Sequence, residues 1–547
     1  MSTSTLQSHL SVLESSVRSH ATRPVFRMPV VNKETSRISE WATITYAQFH
    51  QDVELYARYW TSVLSADGIA TGSIIGLWLG GVAYTDVLHI YGLSRAGYIP
   101  QMFSLRLPNP VVIFELLQKA GARALVCEPS FGADLSGCPV LTYSAIQVRE
   151  QDAADVTLPP LRTDYSAADL VFVFHTSGST SGSPKLVPCN RRWLDSIVTK
   201  SNQMGQVRST RGQDVTVAMG SMCHIAQTFT LIGSLYHGSC TIQPTSVAFS
   251  SEELLDMITR CGLNRLKQFA TFLGHHLRNS KTNPKLLQAL VQLDEVVYSG
   301  LALGRDEEAW AFQNGVNLQN LFGSTEVGAM LVSIGGKGQD APLFVPLEGT
   351  SYSFFPIESE DKPSTSTAAY QSSTGRLLEL VILSESNDCP DVSLRNADGH
   401  FHTGDLFLEI EAGKYLSRGR KDDWIKSENS LRCDTKSIED NVRATCSELV
   451  FECIVVGNGR SSPALFIEAS EKCTMDAEKF KKEIIRRTRQ FHSRRYIHER
   501  ITSTKYVVVV ERGTLPRTAT KGNVRRQAVE SQYKELLDGI YGTVPNY

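Results

Sequence analysis

The chain has 547 residues, 41% of them hydrophobic and 20% charged, and a formal net charge of −2. That length exceeds what one hydrophobic core needs, so at least two structural units are expected. The balance excludes disordered, collagen-like and coiled-coil chains, and a charge this close to zero gives no field for general nucleic-acid binding. The eleven cysteines, from Cys127 to Cys473, form no Cys-x-x-Cys pair and no zinc-type spacing, so they read as reduced structural thiols. Met1-Ser2-Thr3-Ser4-Thr5 lacks a secretory pattern, and Val544-Pro545-Asn546-Tyr547 is neither a peroxisomal address nor a prenylation box. A cytoplasmic location is expected.

In chain order, the most apolar long segment, residues 74–100, is interrupted by Gly80, Gly81, Asp86, His89, Ser94 and Arg95, and so reads as buried core rather than a membrane span. A helix is expected over residues 111–120, stopping at Gly121, with a strand over 122–127 before the breaker Pro129. Leu170 to His175 reads as a buried strand. Ser250 and Glu253 predict a capping box at the start of a helix that Gly262 can close, and Val296-Val297-Tyr298 is strand-like. The Ser/Thr-rich residues 363–374 read as a surface loop inside the larger unit. Phe480 and Ile484 mark the apolar side of a helical pattern whose Lys479, Lys481, Lys482, Arg486, Arg487 and Arg489 read as a solvated face. Alternating strand and helix patterns imply an α/β protein with crossover connections.

The strand at 170–175 runs straight into Thr176-Ser177-Gly178-Ser179-Thr180-Ser181-Gly182-Ser183-Pro184-Lys185. The glycines let the backbone approach an anion, the hydroxyls and N–H groups can donate to phosphate oxygens, and Lys185 adds a positive charge. Such a loop suits a polyphosphate. It is not a Walker A loop, because Gly178 and Gly182 are too close together and Lys185 does not follow a glycine. The bland alternative is a Ser/Gly-rich linker, against which stand the apolar strand upstream and the terminal lysine. A serine hydrolase elbow fails as well, since Thr180 stands at the centre of Gly178-Ser179-Thr180-Ser181-Gly182.

Three further motifs follow in the order found in the superfamily of acyl-CoA synthetases, peptide-synthetase adenylation domains and luciferases, which nearly the whole chain resembles. Phe322-Gly323-Ser324-Thr325-Glu326 resembles the aromatic-Gly-x-Thr-Glu motif; the resemblance implies that Thr325 contacts the adenylate phosphate and that Glu326 helps hold magnesium. His402-Thr403-Gly404-Asp405-Leu406 resembles the Thr-Gly-Asp motif, which implies that Asp405 accepts hydrogen bonds from both ribose hydroxyls. Gly419-Arg420-Lys421-Asp422-Asp423 resembles the Gly-Arg-x-Asp-Asp hinge, implying ribose contact for Arg420 and rotation about Asp422. Taken singly, such short motifs are most often turns or caps.

The resemblance further implies an α/β fold with a large composite N-terminal adenylation domain over residues 1–419 and a small mobile α+β C-terminal domain over residues 420–547. It assigns Ser299, Asn320, Leu321 and Phe322 to the adenine and acyl pocket, and His224 to the neighbourhood of the carboxylate, with a satisfied core histidine as the alternative. Leu515 to Arg526 resembles the segment that carries the catalytic lysine, which makes Lys521 that residue although glycine here follows it rather than preceding it; Lys426 is a second candidate. Ser427-Glu428-Asn429-Ser430 departs from relatives that carry a glycine beside the thiol tunnel. ATP and Mg2+ are the implied cofactors, with coenzyme A or a phosphopantetheine thiol as acceptor and a carboxylic acid as substrate.

No aspartate lies between Met219 and Leu231, where domains selecting α-amino acids usually place one, so an amine-free acid is expected, with Phe229, Phe269, Phe272, Leu301 and Met330 as apolar walls. Residues 103–120 and 376–382 look most like adenylation domains of fungal reductase-type, peptide-synthetase-like enzymes. The short segment after Arg526 has no room for a carrier domain or a reductase, so the acyl group is expected to pass to free coenzyme A, a separate carrier protein or another nucleophile; a fragment of a longer enzyme is equally compatible. The basic stretch from Lys479 to Arg495 could attract coenzyme A phosphates. The second class of function is a nucleotide-binding regulatory protein of this fold that has lost catalysis.

Overall fold

A computed structural model describes all residues except 1–5, 104–108, 154, 163–164, 177–184, 207–211, 337, 358–376, 422–423, 427–431, 472, 494, 496, 518–522 and 543–547. The apolar segment 74–100 resolves into strand Ile74–Trp78, helix Tyr84–Arg95 and the start of strand Ile99–Phe103, buried as its composition predicts. Helix Pro110–Ala120 has its proline in the first turn, where a missing N–H costs nothing, and it ends at Gly121 with φ of 68°. Strand Ala124–Cys127 follows and lies against Ile74–Trp78, giving parallel pairing through a crossover helix. Ser250 caps helix Ser251–Cys261 by accepting from the Glu253 N–H at 3.1 Å, but the Glu253 carboxylate turns instead to the Thr245 N–H and hydroxyl at 2.7 and 2.6 Å. Half of the predicted capping box therefore forms, because a tertiary partner outbids the cap's own backbone for the carboxylate.

Two sheets build the larger unit. In the six-stranded sheet, Leu141–Ser144, Ala124–Cys127, Ile74–Trp78, Ile99–Phe103 and Leu170–Thr176 run parallel, and Lys185–Asn190 closes the edge antiparallel to the last of them. The 13-stranded sheet has two halves. Its parallel half runs Pro24–Val31, Cys240–Ile242, Val215–Val217, Arg265–Phe269, Glu295–Ser299 and Leu318–Ser324, with Ile38–Thr45 added antiparallel at the outer edge beside Pro24–Val31. Its antiparallel half continues through Gly328–Ser333, Phe344–Pro346, Lys414–Arg420, Phe401–Glu411, Leu377–Ile382 and Tyr352–Pro356. The main core lies between the sheets, where helix Ile225–Tyr236 packs on helix Arg191–Gly205.

After Arg420 the chain builds a separate small unit. Strands Val450–Val456, Ala464–Ala469 and Val507–Val510 form their own sheet, with helices Thr435–Thr445 and Ala477–Ser493 packed against it. Phe480 and Ile484 are buried there, as the helical pattern predicts. Among the described residues, the two apolar clusters of this unit draw only on residues from Ile425 onward. The whole is a large α/β unit followed by a smaller α+β one.

Candidate active site

In open parallel sheets, ligands collect outside the carboxyl ends of the strands. Several of the predicted site residues lie at such strand ends, in the two sheets of the larger unit. Thr176 ends Leu170–Thr176, Phe269 ends Arg265–Phe269, Ser299 ends Glu295–Ser299, and Thr325 follows Leu318–Ser324 directly. His224 lies in the connection after Val215–Val217.

The loop 177–184, with Ser177, Gly178, Ser179 and Thr180, lies outside the described residues, but both its ends are fixed. Thr176 pairs with Lys185 as the last register of an antiparallel hairpin, and Lys185 is exposed. The hairpin feeds helix Arg191–Gly205, capped by Asn190, whose carboxamide accepts from the Trp193 N–H at 2.9 Å. The Trp193 indole N–H then reaches across to the Glu326 carbonyl at 3.0 Å. Thr325 and Glu326 occupy the turn between strands Leu318–Ser324 and Gly328–Ser333, a turn in which the Ser324 hydroxyl accepts from the Val327 N–H at 3.4 Å. Glu326 also bears on the hairpin itself, since after burial its carboxylate is the next cause that pushes the Cys189 thiol upward. Two motifs separated by about 140 residues of chain are thus joined by one tryptophan.

Behind this joint lies a side chain that no motif signals. Lys200 is completely buried; its ammonium donates to the Val327 carbonyl at 2.9 Å and to Asp388 Oδ2 at 2.7 Å. The Tyr352 and Ser386 hydroxyls also donate to Asp388. Burial pushes the Asp388 carboxyl up, and Lys200 with the two hydroxyls more than offsets this, holding it low. A lysine on the apolar stripe of Trp193, Ile197 and Met204 is the signal that could have found it.

His224 caps helix Ile225–Tyr236. Its Nδ1 accepts from the Ala226 N–H at 3.2 Å, which assigns the ring proton of the neutral imidazole to Nε2, and its ring meets Phe269 edge-on at 5.3 Å. Phe269 is held between two glycines, because a Cβ on Gly220 would lie 2.8 Å from its ring and one on Gly300, where φ is +88°, 3.0 Å away. Phe229 is buried nearby in the core, whereas Leu301 is 65% exposed and Met330 packs with Val327, Leu331 and Phe344. Of the expected apolar wall, Leu301, just after the turn at Gly300, is the exposed member. The Ser299 hydroxyl donates to the Leu321 carbonyl at 2.6 Å, tying two of the site strands together. Phe322 packs edge-on against Phe407 at 5.4 Å and stays half-buried. The Asn320 N–H donates to the Ser333 hydroxyl at 2.7 Å.

Asp405 lies opposite Arg420 on the paired strands Phe401–Glu411 and Lys414–Arg420, and the guanidinium donates to Asp405 Oδ1 at 3.3 Å. Gly404 has φ of +72° and a Cβ there would sit 3.2 Å from Arg420 Nη2, so the middle residue of the Thr-Gly-Asp motif must lack a side chain. Thr403 bonds the Leu380 carbonyl at 2.8 Å and accepts from the Asp405 N–H at 3.0 Å, which fixes the backbone that presents Asp405. Asp422, Ser427 to Ser430 and Lys521 lie outside the described residues, as does the side chain of Lys426. The bridge between Arg517 and Val524 closes the segment that carries Lys521, and Arg517 is anchored on Glu468 at 2.6 Å.

The basic helix face meets carboxylates nearby: Lys481 pairs with Glu478 at 3.0 Å, Arg486 with Glu483 at 2.6 Å and Arg487 with Glu448 at 2.6 Å. That pairing weakens the reading of this face as an anion attractor. Among the described residues no group of three or more His, Cys, Asp or Glu could cage a metal. A magnesium ion that keeps phosphate oxygens and waters as most of its ligands needs only one or two carboxylates, a demand that a lone Glu326 meets.

A large composite α/β unit followed by a small α+β one is the architecture of the adenylate-forming enzymes. The chain belongs to the AMP-binding enzyme family: the family model matches residues 13–351, and that of the AMP-binding enzyme C-terminal domain matches residues 422–545. It is 37% identical to the AMP-binding domain-containing enzyme iboA of Amanita muscaria (strain Koide BX008), over 93% of this chain and 98% of that protein. It is 23% identical to the adenylate-forming reductase stbB of Stachybotrys bisbyi over 83% of this chain, and spans 41% of that longer protein. The O-succinylbenzoate coenzyme A synthetase MenE of Bacillus subtilis, solved with AMP, shares the fold at a TM-score of 0.71 and 15% identity, covering 96% of this chain and 98% of that one. No helix among the described residues is long and apolar enough to cross a membrane.

Proposed function

We propose that this adenylate-forming enzyme activates an amine-free carboxylic acid with ATP and then passes the acyl group to a thiol. The observation that carries the reading is the joint made by Trp193, which holds the turn of Thr325 and Glu326 against the hairpin whose loop is rich in phosphate-binding groups. In the first half-reaction a carboxylate oxygen of the acid attacks the α-phosphorus of ATP, the bond to the bridging oxygen breaks, and pyrophosphate leaves. Thr176, Ser177, Gly178, Ser179, Thr180 and Lys185 cradle the departing phosphates, and Thr325 donates to the phosphate that stays. Glu326 holds magnesium, which when bound neutralises phosphate charge. Asp405 and Arg420 bind the ribose; Asn320, Leu321, Phe322 and Ser299 frame the adenine and the near wall of the acid pocket. His224, whose Nδ1 is taken by the Ala226 N–H, has Nε2 as the donor to the acid's carboxylate or to the phosphate beside it. Lys521 stabilises the charge accumulating at phosphorus.

The boundary is drawn between residues 419 and 420, and rotation about Asp422 exchanges the lysine for the thiol; Lys426 is the reserve cation. Coenzyme A or a separate phosphopantetheinylated carrier protein is the acceptor. The coenzyme A synthetase among the similar folds supports coenzyme A as that thiol, and the resemblance to peptide-synthetase adenylation domains supports a carrier. The test is acid-dependent exchange of pyrophosphate into ATP over a panel of aryl and alkyl acids, followed by acyl transfer to coenzyme A and to a carrier protein. Nucleotide binding with no exchange for any acid would leave the regulatory reading; exchange without transfer to either thiol would sink the thiol step alone.

A further inference from the structure

Two residues before Phe269, on the same face of strand Arg265–Phe269, stands a charge that the proposed mechanism leaves unused. Lys267 is 5% exposed and is the register partner of Val297, as Phe269 is of Ser299 and Ser299 of Leu321. Lys267 and Val297 therefore lie one side-chain row, about 6–7 Å, behind the strand ends where the acid's reacting carboxylate would meet the nucleotide. Between this face of the sheet and helices Ile225–Tyr236 and Arg191–Gly205 runs a small cavity. Lys267, Ser299 and Leu321 line it on the sheet side, and Met204, Phe229 and Thr230 on the helix side. It shares Phe229, Ser299 and Leu321 with the acid pocket as the sequence assigns it. Among the described residues that line it, Lys267 carries the one charge.

An ammonium on the wall of a low-dielectric cavity gives the space a positive field. That field favours an anionic group and disfavours an alkyl or aryl tail laid against it. The same face shows how a cation at this depth is accommodated: Arg265, two residues earlier, is met by Glu295 at 2.6 Å and by Asp214 at 3.3 Å. We propose that Lys267 is the specificity-determining residue at the floor of the acid pocket, and that the acid activated is a short dicarboxylic acid. This substrate class rests on the acid-activating reading above. One carboxylate attacks the α-phosphorus and pyrophosphate leaves; the second is not consumed and stays beside the Lys267 ammonium, so one end of the acid alone is activated. Met204 and Met219, both on the cavity wall, are unbranched and let it adapt to the length of the chain between the two carboxylates.

The experiment measures acid-dependent exchange of pyrophosphate into ATP with succinate, glutarate and adipate, each against its monoamide, which keeps the shape and removes the second charge. The best diacid is expected to exceed its monoamide in kcat/KM by about 10²-fold, the scale of a buried charge deprived of its partner. Lys267→Met keeps the length of the side chain without its charge and is expected to bring the two close to parity, while Lys267→Arg retains most of the preference. Calorimetric ATP binding checks that each variant is folded. A role in packing alone would change diacid and monoamide together, so a ratio that survives Lys267→Met overturns the assignment of Lys267. Wild-type exchange with monoamides or with other monoacids that equals or exceeds exchange with every diacid overturns the dicarboxylic class and leaves adenylation standing. Absence of exchange with any acid, in protein that binds ATP, overturns both.

Discussion

Asn320 and Asp405 are both assigned to the nucleotide, yet the first lies opposite Tyr298, which is 3% exposed, on the neighbouring strand and the second is paired with a guanidinium whose side chain is 48% exposed. Asn320 lies beside the strand Glu295–Ser299, which is buried along its whole length, where each hydrogen bond is costly to exchange with water. Asp405 and Arg420 sit on the last strand pair before the small unit, where an ion pair contributes little and dissociates readily. A buried neighbour at one proposed contact and an exchangeable ion pair at the other would suit the proposed hinge, in which one wall of the site moves away after the first half-reaction.

The strongest test of that contrast lies on the rigid side. Lys200→Met should destabilise the protein by about 3–5 kcal/mol, because Asp388 would remain buried without its counter-charge. Denaturant unfolding checks this, with the exposed pair of Arg58 and Glu150 as control, where Arg58→Ala should cost under about 1 kcal/mol. Next in size, Lys521→Ala should slow pyrophosphate exchange by about 10²- to 10³-fold while sparing acyl transfer from supplied acyl-AMP. Asp422→Pro, by restricting the hinge, should do the opposite. Equal loss of both half-reactions in both folded variants would reject the two-arrangement account.

Asp405→Ala should weaken ATP binding by about 1.5–3 kcal/mol, read by calorimetry; an unchanged affinity would remove Asp405 from the ribose. Glu326→Gln should raise the magnesium concentration needed for activity, so superimposed magnesium titrations would refute its metal role. The smallest effect is graded with pH. Burial pushes His9 down to about 3, and His89, His175 and His276 down to about 4. Unfolded, these rings take up protons near pH 6.5, so between there and about pH 4 the unfolded state binds more protons and stability falls as pH is lowered. The unfolding midpoint should be flat above neutrality and decline through that window, with the decline shallower in His89→Asn.

Much of this architecture can be read from local chemistry. Gly121 and the cap at Ser250 stop and start helices where their backbone preferences demand, and the strand at Leu170–Thr176 is visible from five apolar residues in a row. Thr325, Glu326, Asp405 and Arg420 are legible through short motifs whose order matters more than any one of them. The elements that assemble those motifs are not legible, because they act across long stretches of chain. Trp193 reaches Glu326, Lys200 reaches Val327 and Asp388, and Glu308 reaches Tyr298, and none of these pairings leaves a periodic trace.

Phe269, wedged between Gly220 and Gly300 and touched edge-on by His224, has a bearing on how such an enzyme can change its diet. A side chain added at either glycine would collide with the ring before it could reshape the cavity, so both positions are closed as routes to new substrates. The ring itself is the open route: where Phe269 walls the acid pocket, trimming it would enlarge that pocket without disturbing the strand ends at Ser299 and Ser324.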